Sequence, residues 1–189
     1  MAHYNIIALG KIIDDKESCE SMFSRFECPL NTEVENFLRD RSIEFEKMGL
    51  SRTYFIFTSY KNENILIGYY AIAVKQISMV NNVSINNRKK ISGYANKKEC
   101  AIYLIGQLGK NYKDNIDKKH LITGKELIRM AIEKILLAHQ IIGGRAIVVE
   151  CEDKCQLRQF YESMGFALVD KDKTDQLLRY YIGIDSIEL

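Results

Sequence analysis

The sequence predicts a single α/β domain over residues 1–189, with a mixed central sheet flanked by helices. A chain of 189 residues, 47% hydrophobic and 28% charged, has the size and composition of one soluble globular domain. In its second half, apolar runs of strand length alternate with helical patterns. Residues 101–151 follow the order strand, helix, strand, which predicts a right-handed crossover between two parallel strands.

Seven apolar or β-branched runs have the length of strands. The densest is Thr53–Thr58, and the polar turn at 61–64 that follows it predicts a hairpin with the next run. The predicted strands are Tyr4–Leu9, Arg52–Ser59, Ile65–Ile77, Glu99–Leu108, Ala146–Cys151, Phe166–Val169 and Leu177–Ile184.

Three helix starts carry a similar capping pattern, in which a short polar side chain precedes Glu or Gln by three residues. These starts are Thr32–Glu35, Thr123–Glu126 and Asp153–Gln156. Their helices are predicted to end near Gly49, near Gly143-Gly144 and at Gly165, because glycine tolerates the left-handed cap. Residues 78–98 are polar and rich in Asn and Lys, so they are predicted to form a long loop.

The charge of the chain is unevenly distributed. Lys and Arg number 27 against 25 Asp and Glu, a net of +2, yet residues 86–125 carry ten basic residues against three acidic ones. This local excess of +7 leaves two interpretations open. The segment is either a face for an anionic ligand or partner, or a lysine-rich loop that is simply solvated.

The cysteine and histidine patterns favour neither disulfides nor a metal site. The five cysteines are odd in number and scattered, and the three histidines lie far apart in the sequence. No apolar run is long enough to span a membrane, and residues 1–11 lack the features of a signal peptide. We therefore expect a cytoplasmic protein without a bound metal.

The start of the second predicted helix is a candidate phosphate-binding site. Free backbone N–H groups and the positive end of the helix dipole attract anions there, and Lys118, Lys119 and Lys125 surround Thr123-Gly124. A surface connection without a ligand is the alternative. The capping pattern favours that alternative, because Thr123 and Glu126 consume some of the donors.

Tyr161 is the second candidate, near the end of a short helix and before a strand. Its phenol is either a packed core group with a satisfied hydroxyl or a general acid that protonates a leaving group. Sequence spacing does not separate these two roles.

Residues 101–166 resemble the GNAT superfamily of acyl-CoA-dependent N-acetyltransferases. The stretch Lys119-His-Leu-Ile122-Thr-Gly124 is similar to the family's pyrophosphate loop, with Lys119 in place of Gln/Arg and Ile122 in place of Gly. The stretch Phe160-Tyr161-Glu-Ser-Met-Gly165-Phe166 resembles the family's aromatic-Tyr-x-x-x-Gly-Phe signature. The resemblance implies the GNAT fold, in which a parallel β-α-β unit binds acyl-CoA.

Over residues 22–170 the chain is similar to the GNAT toxins of bacterial toxin–antitoxin pairs. Five short motifs occur in the same order: Phe26-Glu-Cys28, Phe37-Leu38-Arg39, Ser51-Arg52-Thr53, Gly68-Tyr69-Tyr70 and Gln107-Leu108-Gly109. Pro29 replaces a glycine, and Gln107-Leu-Gly-Lys110 replaces Arg-Leu-Ala-Val. This resemblance implies acetylation of the amino group of an aminoacyl-tRNA, an antitoxin partner and a possible homodimer.

The resemblance also implies a role for each site residue. Main-chain groups of Leu108, Gly109 and Lys110 would meet the pantetheine arm of acetyl-CoA, and Tyr161 would protonate the departing thiolate. The pyrophosphate would be held by Lys119, His120, Leu121, Ile122, Thr123, Gly124 and Lys125. Two alternatives stay open: a GNAT enzyme that acetylates a protein N-terminus, a lysine or a small amine, and a non-catalytic module with this fold.

Overall fold

Seven strands form a mixed sheet in the computed structural model, which describes residues 4–79, 83–172 and 175–187. The strands are hydrogen-bonded in the order β1-β2-β3-β4-β5-β7-β6. Strands β4 and β5 are parallel, with Tyr103 opposite Ile147, as predicted. The bounds are β1 Tyr4–Ala8, β2 Arg52–Tyr60, β3 Glu63–Ser78, β4 Glu99–Lys110, β5 Ala146–Cys151, β6 Ala167–Lys171 and β7 Leu178–Gly183.

Six α-helices accompany these strands within the described residues. They are α1 Lys16–Ser24, α2 Thr32–Asn36, α3 Ser42–Lys47, α4 Ile85–Ser92, α5 Gly124–Ile142 and α6 Cys155–Ser163. One π-helical turn, Phe37–Arg41, joins α2 to α3, so the predicted helix up to Met48 is present with an irregular middle. No helix of the described residues has both the length and the apolar character that a membrane span requires.

Helix α4 corrects the prediction of a loop over 78–98, of which residues 80–82 lie outside the described part. Ser84 caps the helix by accepting a hydrogen bond from the Asn87 N–H, and Gly93 ends it with a φ of 85°. The apolar residue that it buries is Ile91. A short helix with so few buried apolar positions has no recognisable period in the sequence.

Two of the three predicted caps are wrong. Asn31 caps α2 instead of Thr32, because the Glu35 carboxylate accepts from the Cys28 N–H instead of serving the cap. Lys154 is the cap residue of α6 and makes no side-chain cap bond. Helix α1 was not predicted, since only Cys19 and Phe23 of its nine residues are buried.

The β2–β3 hairpin closes through a two-residue turn. Lys61 and Asn62 both have positive φ angles, 52° and 66°, and Tyr60 pairs with Glu63 on either side of them. Two left-handed residues are what a type I′ turn requires, and this turn matches the twist of an antiparallel pair. The hairpin predicted around 61–64 is therefore confirmed, with a tighter turn.

The chain divides into two compact units. The first comprises Met1–Ala73 with Gln107–Ala131, and the second comprises Val74–Gly106 with Ile132–Leu189. In the first unit, Phe26 and Tyr69 pack edge to face with their ring centroids 5.0 Å apart. The buried cluster of the second unit includes Ile77, Met79, Ile91, Ile102, Val148 and Tyr181.

Asn111 is the most heavily bonded polar side chain of the first unit. It is 1% exposed, directly after β4. Its Nδ2 donates to the carbonyls of Arg25 (2.7 Å) and Leu66 (2.8 Å). Its Oδ1 accepts from the N–H groups of Glu27 and Lys113, both at 3.0 Å. All four hydrogen-bonding positions of the amide are therefore satisfied.

Replacing Asn111 is expected to destabilise the protein strongly. Asn111→Ala leaves the buried carbonyl of Leu66 and three part-buried groups, the N–H groups of Glu27 and Lys113 and the carbonyl of Arg25, without this partner. We therefore expect a loss of about 3 kcal/mol in the free energy of unfolding. Urea denaturation measures this loss. Asn86→Ala, at an exposed position of α4, is the control and should change stability by less than about 0.5 kcal/mol. A similar loss in both variants would contradict this role of Asn111.

Candidate functional site

The end of β4 is tightly packed around Gly109. A Cβ atom at this position would lie 2.6 Å from Cγ1 of Val34 and 3.0 Å from Cζ of Phe26. A Cβ atom at Gly68, in β3, would lie 2.7 Å from the carbonyl oxygen of Gly109. Gly109 is buried between half-buried Leu108 and Lys110. At Gly68 and Gly109 the neighbouring atoms leave no room for a side chain, so only glycine fits. These close contacts fix the backbone of Leu108, Gly109 and Lys110, the three residues predicted to bind pantetheine.

The segment between β4 and α5 is irregular and mostly exposed. A 3₁₀ segment spans Lys113–Lys119, with Asp114 and Asn115 in the left-handed region, and His120 follows with a φ of 50°. The His120 N–H is bonded to the carbonyl of Asp117 at 3.2 Å. That donor is therefore already used within the segment.

Ile122, which stands where the family has glycine, is accommodated by burial. Its side chain is 4% exposed, and its φ is not among the positive values of the described residues. Leu121 is half-buried, whereas Lys119 and His120 are exposed. The predicted pyrophosphate loop thus has an apolar anchor at Ile122 and exposed basic residues before it.

The capping box at the start of α5 is confirmed. Glu126 accepts hydrogen bonds from the Thr123 N–H (2.8 Å) and from the Thr123 hydroxyl (2.7 Å), and Oγ1 of Thr123 accepts from the Glu126 N–H (3.2 Å). The first helical bond runs from the Leu127 N–H to the carbonyl of Thr123. These bonds leave the N–H groups of Gly124 and Lys125 as the two donors of the first turn without a helical acceptor.

Tyr4 of β1 supports this cap from the far end of the sequence. Its hydroxyl lies 3.0 Å from Oε1 of Glu126 and 3.3 Å from the carbonyl oxygen of Leu121. Burial and the hydrogen bond to Glu126 raise the pKa of Tyr4 to about 12. Hydrogen bonds from Thr123 and Tyr4 lower the pKa of Glu126, so the carboxylate stays ionised at neutral pH.

The lysines predicted to assist this site have different surroundings. Nζ of Lys119 lies 5.4 Å from the ring centroid of Tyr60, a cation–π contact, and Lys125 is exposed. The side chain of Lys118 lies outside the described part. Among the described residues, no group of three His, Cys, Asp or Glu side chains could hold a metal ion.

Tyr161, in the second unit, lies at a defined helix end. The Phe166 N–H donates to the carbonyl of Tyr161 at 3.1 Å, and the Gly165 N–H donates to the carbonyl of Glu162 at 3.0 Å. Gly165 has a φ of 83°, and the rings of Tyr161 and Phe166 are 5.9 Å apart. This is a Schellman motif with its hydrophobic contact, which explains the spacing of Tyr, Gly and Phe in the signature.

The surroundings of Tyr161 keep its phenol protonated. The side chain is 8% exposed, and burial, with a smaller contribution from nearby Cys151, raises its pKa far above the ordinary value. Burial also raises the pKa of Cys151 to about 11. Within the described ranges, no group forms a hydrogen bond with the Tyr161 hydroxyl, whereas the hydroxyl of neighbouring Tyr180 donates to Glu162 at 3.2 Å. Both roles considered for Tyr161, a packed core group and a general acid, stay predictions.

Two of the five N-terminal motifs are linked by hydrogen bonds in the first unit. The Arg39 guanidinium donates to the carbonyl of Phe26 at 2.9 Å and to Glu35 at 3.2 Å, and Glu35 accepts from the Cys28 N–H at 2.8 Å. The Phe-x-Cys and Phe-Leu-Arg motifs therefore hold each other in place.

Comparison of the fold with solved structures found toxins of bacterial toxin–antitoxin pairs. A Tyr→Phe mutant of the toxin KacT matches with a TM-score of 0.68 over 97% of this chain and 96% of that chain, at 16% identity. A Tyr→Phe mutant of AtaT, bound to the C-terminus of the antitoxin AtaR and acetyl-CoA, matches at 0.64 over 97% and 94%, at 16% identity. AtaT complexed with acetyl-methionyl-tRNAfMet matches at 0.66 over 97% and 96%, at 17% identity.

This chain has the fold of these toxins. The GNAT fold that the sequence resemblance implied is therefore confirmed, with its mixed sheet and its parallel β4–β5 pair. Comparison of the sequence with family models and with curated proteins found no match.

Sequence analysis missed two residues that shape the candidate site. Tyr4 was assigned only to a strand, yet it bonds Glu126 from 122 positions away. Asn111 has no predicted role in the sequence, yet its side chain bonds the carbonyl of Arg25 and the N–H of Lys113. A lone Tyr and a lone Asn carry no local pattern, so no signal in the sequence reveals these contacts.

Removing the charge of Glu126 is expected to change how stability depends on pH. Because the folded pKa of this carboxyl is lowered, its stabilising effect is present above its unfolded value and disappears as the pH falls through the folded pKa. Glu126→Gln should therefore lower the free energy of unfolding by about 0.5 kcal/mol at pH 7, and the difference from the wild type should shrink toward pH 3. Urea titrations at several pH values measure it. Glu133→Gln, on an exposed position of the same helix, is the control, and a constant difference across this range would contradict the assignment.

Proposed function

We propose that the protein is an N-acetyltransferase, acting as one domain, that moves an acetyl group from acetyl-CoA to the amino group of an aminoacyl-tRNA. The observation that carries the proposal is the match over 97% of the chain to AtaT in complexes with acetyl-CoA and with acetyl-methionyl-tRNAfMet. Both substrates are cytoplasmic in bacteria, so a cytoplasmic location accompanies the proposal. An antitoxin partner is part of the same proposal, since one AtaT structure contains the C-terminus of its antitoxin. A homodimer is proposed only because the sequence resembles the GNAT toxins.

The start of α5 fits the pyrophosphate of acetyl-CoA. The capping box uses the N–H groups of Thr123 and Glu126, but those of Gly124 and Lys125 stay available at the positive end of a 19-residue helix. Lys119, His120, Leu121 and Ile122 would complete the loop around it. The rigid backbone of Leu108, Gly109 and Lys110 would face the pantetheine arm.

The proposed reaction is a direct acyl transfer. The neutral amine attacks the thioester carbonyl, a C–N bond forms, and the C–S bond then breaks. Tyr161 would give its phenolic proton to the departing thiolate. The proton that the amine loses passes to water, and the phenolate of Tyr161 then recovers a proton from water. The raised pKa of Tyr161 keeps the proton on the phenol at neutral pH but also makes the phenol a weaker acid, so the proposal requires that the proton moves as the C–S bond breaks.

Tyr161→Phe is expected to lower turnover by about 100-fold or more while acetyl-CoA binding stays unchanged, because the ring packing is kept and only the proton donor is lost. Single-turnover acetylation and calorimetric titration with acetyl-CoA measure the two quantities. The matched control is Tyr180→Phe, whose ring stacks 6.0 Å from that of Tyr161 and whose hydroxyl is bonded to Glu162. If Tyr161→Phe keeps full turnover, the residue has only a packing role.

The basic residues of and after α4 are proposed to contact RNA phosphates. Lys89, Lys90, Lys97 and Lys98 are exposed, whereas Arg88 donates to the carbonyl of Val83. Changing the four lysines to Gln should weaken binding of charged tRNA and reduce its dependence on salt, because each phosphate contact releases counterions. Acetyl-CoA affinity should not change. An equal loss of both affinities would contradict this division of the basic region.

The acceptor is tested by offering charged tRNA beside peptides and polyamines in one acetylation assay with the full chain. The proposal expects the aminoacyl-tRNA to be acetylated preferentially. Preferential acetylation of a peptide or a polyamine would instead identify a GNAT enzyme with another acceptor. Absence of acetyl-CoA binding, measured by thermal shift, would identify a non-catalytic module.

A further inference from the structure

An ion pair in the second unit crosses β4 and has no role in the chemistry described above. Nζ of Lys75, in β3, donates to both carboxylate oxygens of Glu150, in β5, at 2.7 Å each. Strand β4 lies between β3 and β5 in the sheet. Two strand spacings amount to about 10 Å, so the two side chains extend over β4 to meet. We call this contact the Lys75–Glu150 pair.

A glycine in β4 leaves room for the crossing. Ile102 and Leu104 of β4 share one face of the sheet with Val148 of β5. Because side chains alternate between the two faces along a strand, Gly106 and Glu150 continue that same face. Gly106 is exposed and has no side chain, so β4 places only backbone beneath the ion pair.

The pair lies where β4 and β5 cease to be paired. Within the described ranges, the last parallel partners are Ile105 and Val149, and Glu150 is the next residue. Cys151 follows on the opposite face of β5 and is near Tyr161. An amine that approaches from the face of Glu150 would therefore meet the thioester on the side away from the proposed proton donor.

Lys75 is the partner of Glu150 that an incoming group can replace. Arg179 lies opposite Glu150 in β7, but its Nε donates to Asp170 at 2.6 Å and its Nη1 lies 3.7 Å from Asp172. The side chain of Lys75 is 42% exposed, whereas that of Glu150 is 15% exposed. A lysine with this exposure is readily hydrated when it leaves its partner, so the carboxylate is open to exchange.

We propose that Glu150 binds the amino group of the acceptor in place of Lys75 and thereby favours acceptors that carry a positive charge. This inference rests on the proposed function. An α-amino group has its pKa within about one unit of neutral pH, so both of its protonation states occur there. The ammonium form gains a charge-assisted hydrogen bond to the carboxylate. It then gives one proton to water and attacks the thioester carbonyl as the neutral amine, while Glu150 stays ionised throughout.

The test is Glu150→Gln in single-turnover acetylation, with the full chain in excess over bulk bacterial tRNA charged with its amino acids. At pH 6 the loss of the charge should raise the enzyme concentration that gives half the maximal rate by about tenfold. The carboxylate favours the ammonium form, so the midpoint of the pH profile of the maximal rate should fall by about one unit in the variant. Affinity for acetyl-CoA, measured by calorimetric titration, should not change.

Glu152→Gln is the matched control, because Glu152 is exposed, lies two residues away and pairs with Lys154. It should leave the half-maximal concentration and the pH midpoint unchanged. Glu150→Asp keeps the charge and should keep the pH midpoint. Lys75→Gln removes the competing cation and should lower the half-maximal concentration by about threefold; it carries the test if Glu150→Gln fails to fold. The melting temperature of each variant checks folding.

An unchanged half-maximal concentration and pH midpoint in Glu150→Gln would overturn this assignment and leave the proposed acetyl transfer standing. Equal shifts in Glu152→Gln would also overturn it, since the effect would then come from net charge alone. If Lys75→Gln weakens the acceptor as Glu150→Gln does, the pair has only a structural role and the assignment is wrong. If the wild type acetylates no charged tRNA, the proposed function itself fails.

Discussion

The buried amide of Asn111 is the interaction on which the first unit depends. Its four hydrogen bonds join the end of α1, the start of β3 and the segment after β4, three parts of the chain that are distant in sequence. Two of those bonds go to backbone groups, the carbonyl of Arg25 and the N–H of Lys113. The side chains of both residues line one open pocket of about 480 Å³ at the start of β3. The neutral amide of Asn111, with all its hydrogen bonds made, therefore fixes the backbone that carries the charged side chains of Arg25 and Lys113. An ionised Asp at this position would lack two donors and could not replace it.

The start of α5 is capped and still leaves two backbone donors of its first turn without a helical acceptor. The capping box uses the N–H groups of Thr123 and Glu126, and Tyr4 keeps the carboxylate of Glu126 in place. Two donors of the first turn remain. Because the carboxylate already lies at the helix start, the neighbouring lysines would have to offset its repulsion of the proposed pyrophosphate as well as attract that group. Binding at this terminus is thus expected to depend on lysines more than on the dipole.

The apolar pattern of the strands and the positions of the glycines made most of the fold predictable. Helix caps and contacts between distant parts of the chain were not predictable in the same way. The apolar run Ala146–Cys151 is readily recognised as a buried strand, and Gly165 as the end of a helix. The cap predicted at Thr32 is absent, and Glu35, which would have completed it, accepts a hydrogen bond from the Cys28 N–H instead. That bond depends on where the segment around Cys28 lies, which the local pattern at 32–35 does not show. Helix α4 buries too few apolar residues to give the sequence a helical period. The Tyr4–Glu126 contact joins residues 122 positions apart, so only the three-dimensional structure reveals it.

The helix end at Tyr161 has a consequence for how related sequences should be judged. The spacing of Tyr, Gly and Phe is fully explained by the way that α6 terminates and by the ring contact across that turn. A chain with Phe in place of Tyr161 would keep the helix end and the ring packing, yet under the proposed mechanism it would have no proton to give. If the proposed mechanism holds, the backbone geometry of this helix end does not by itself identify an enzyme, because one phenolic oxygen atom separates a proton donor from a packing residue.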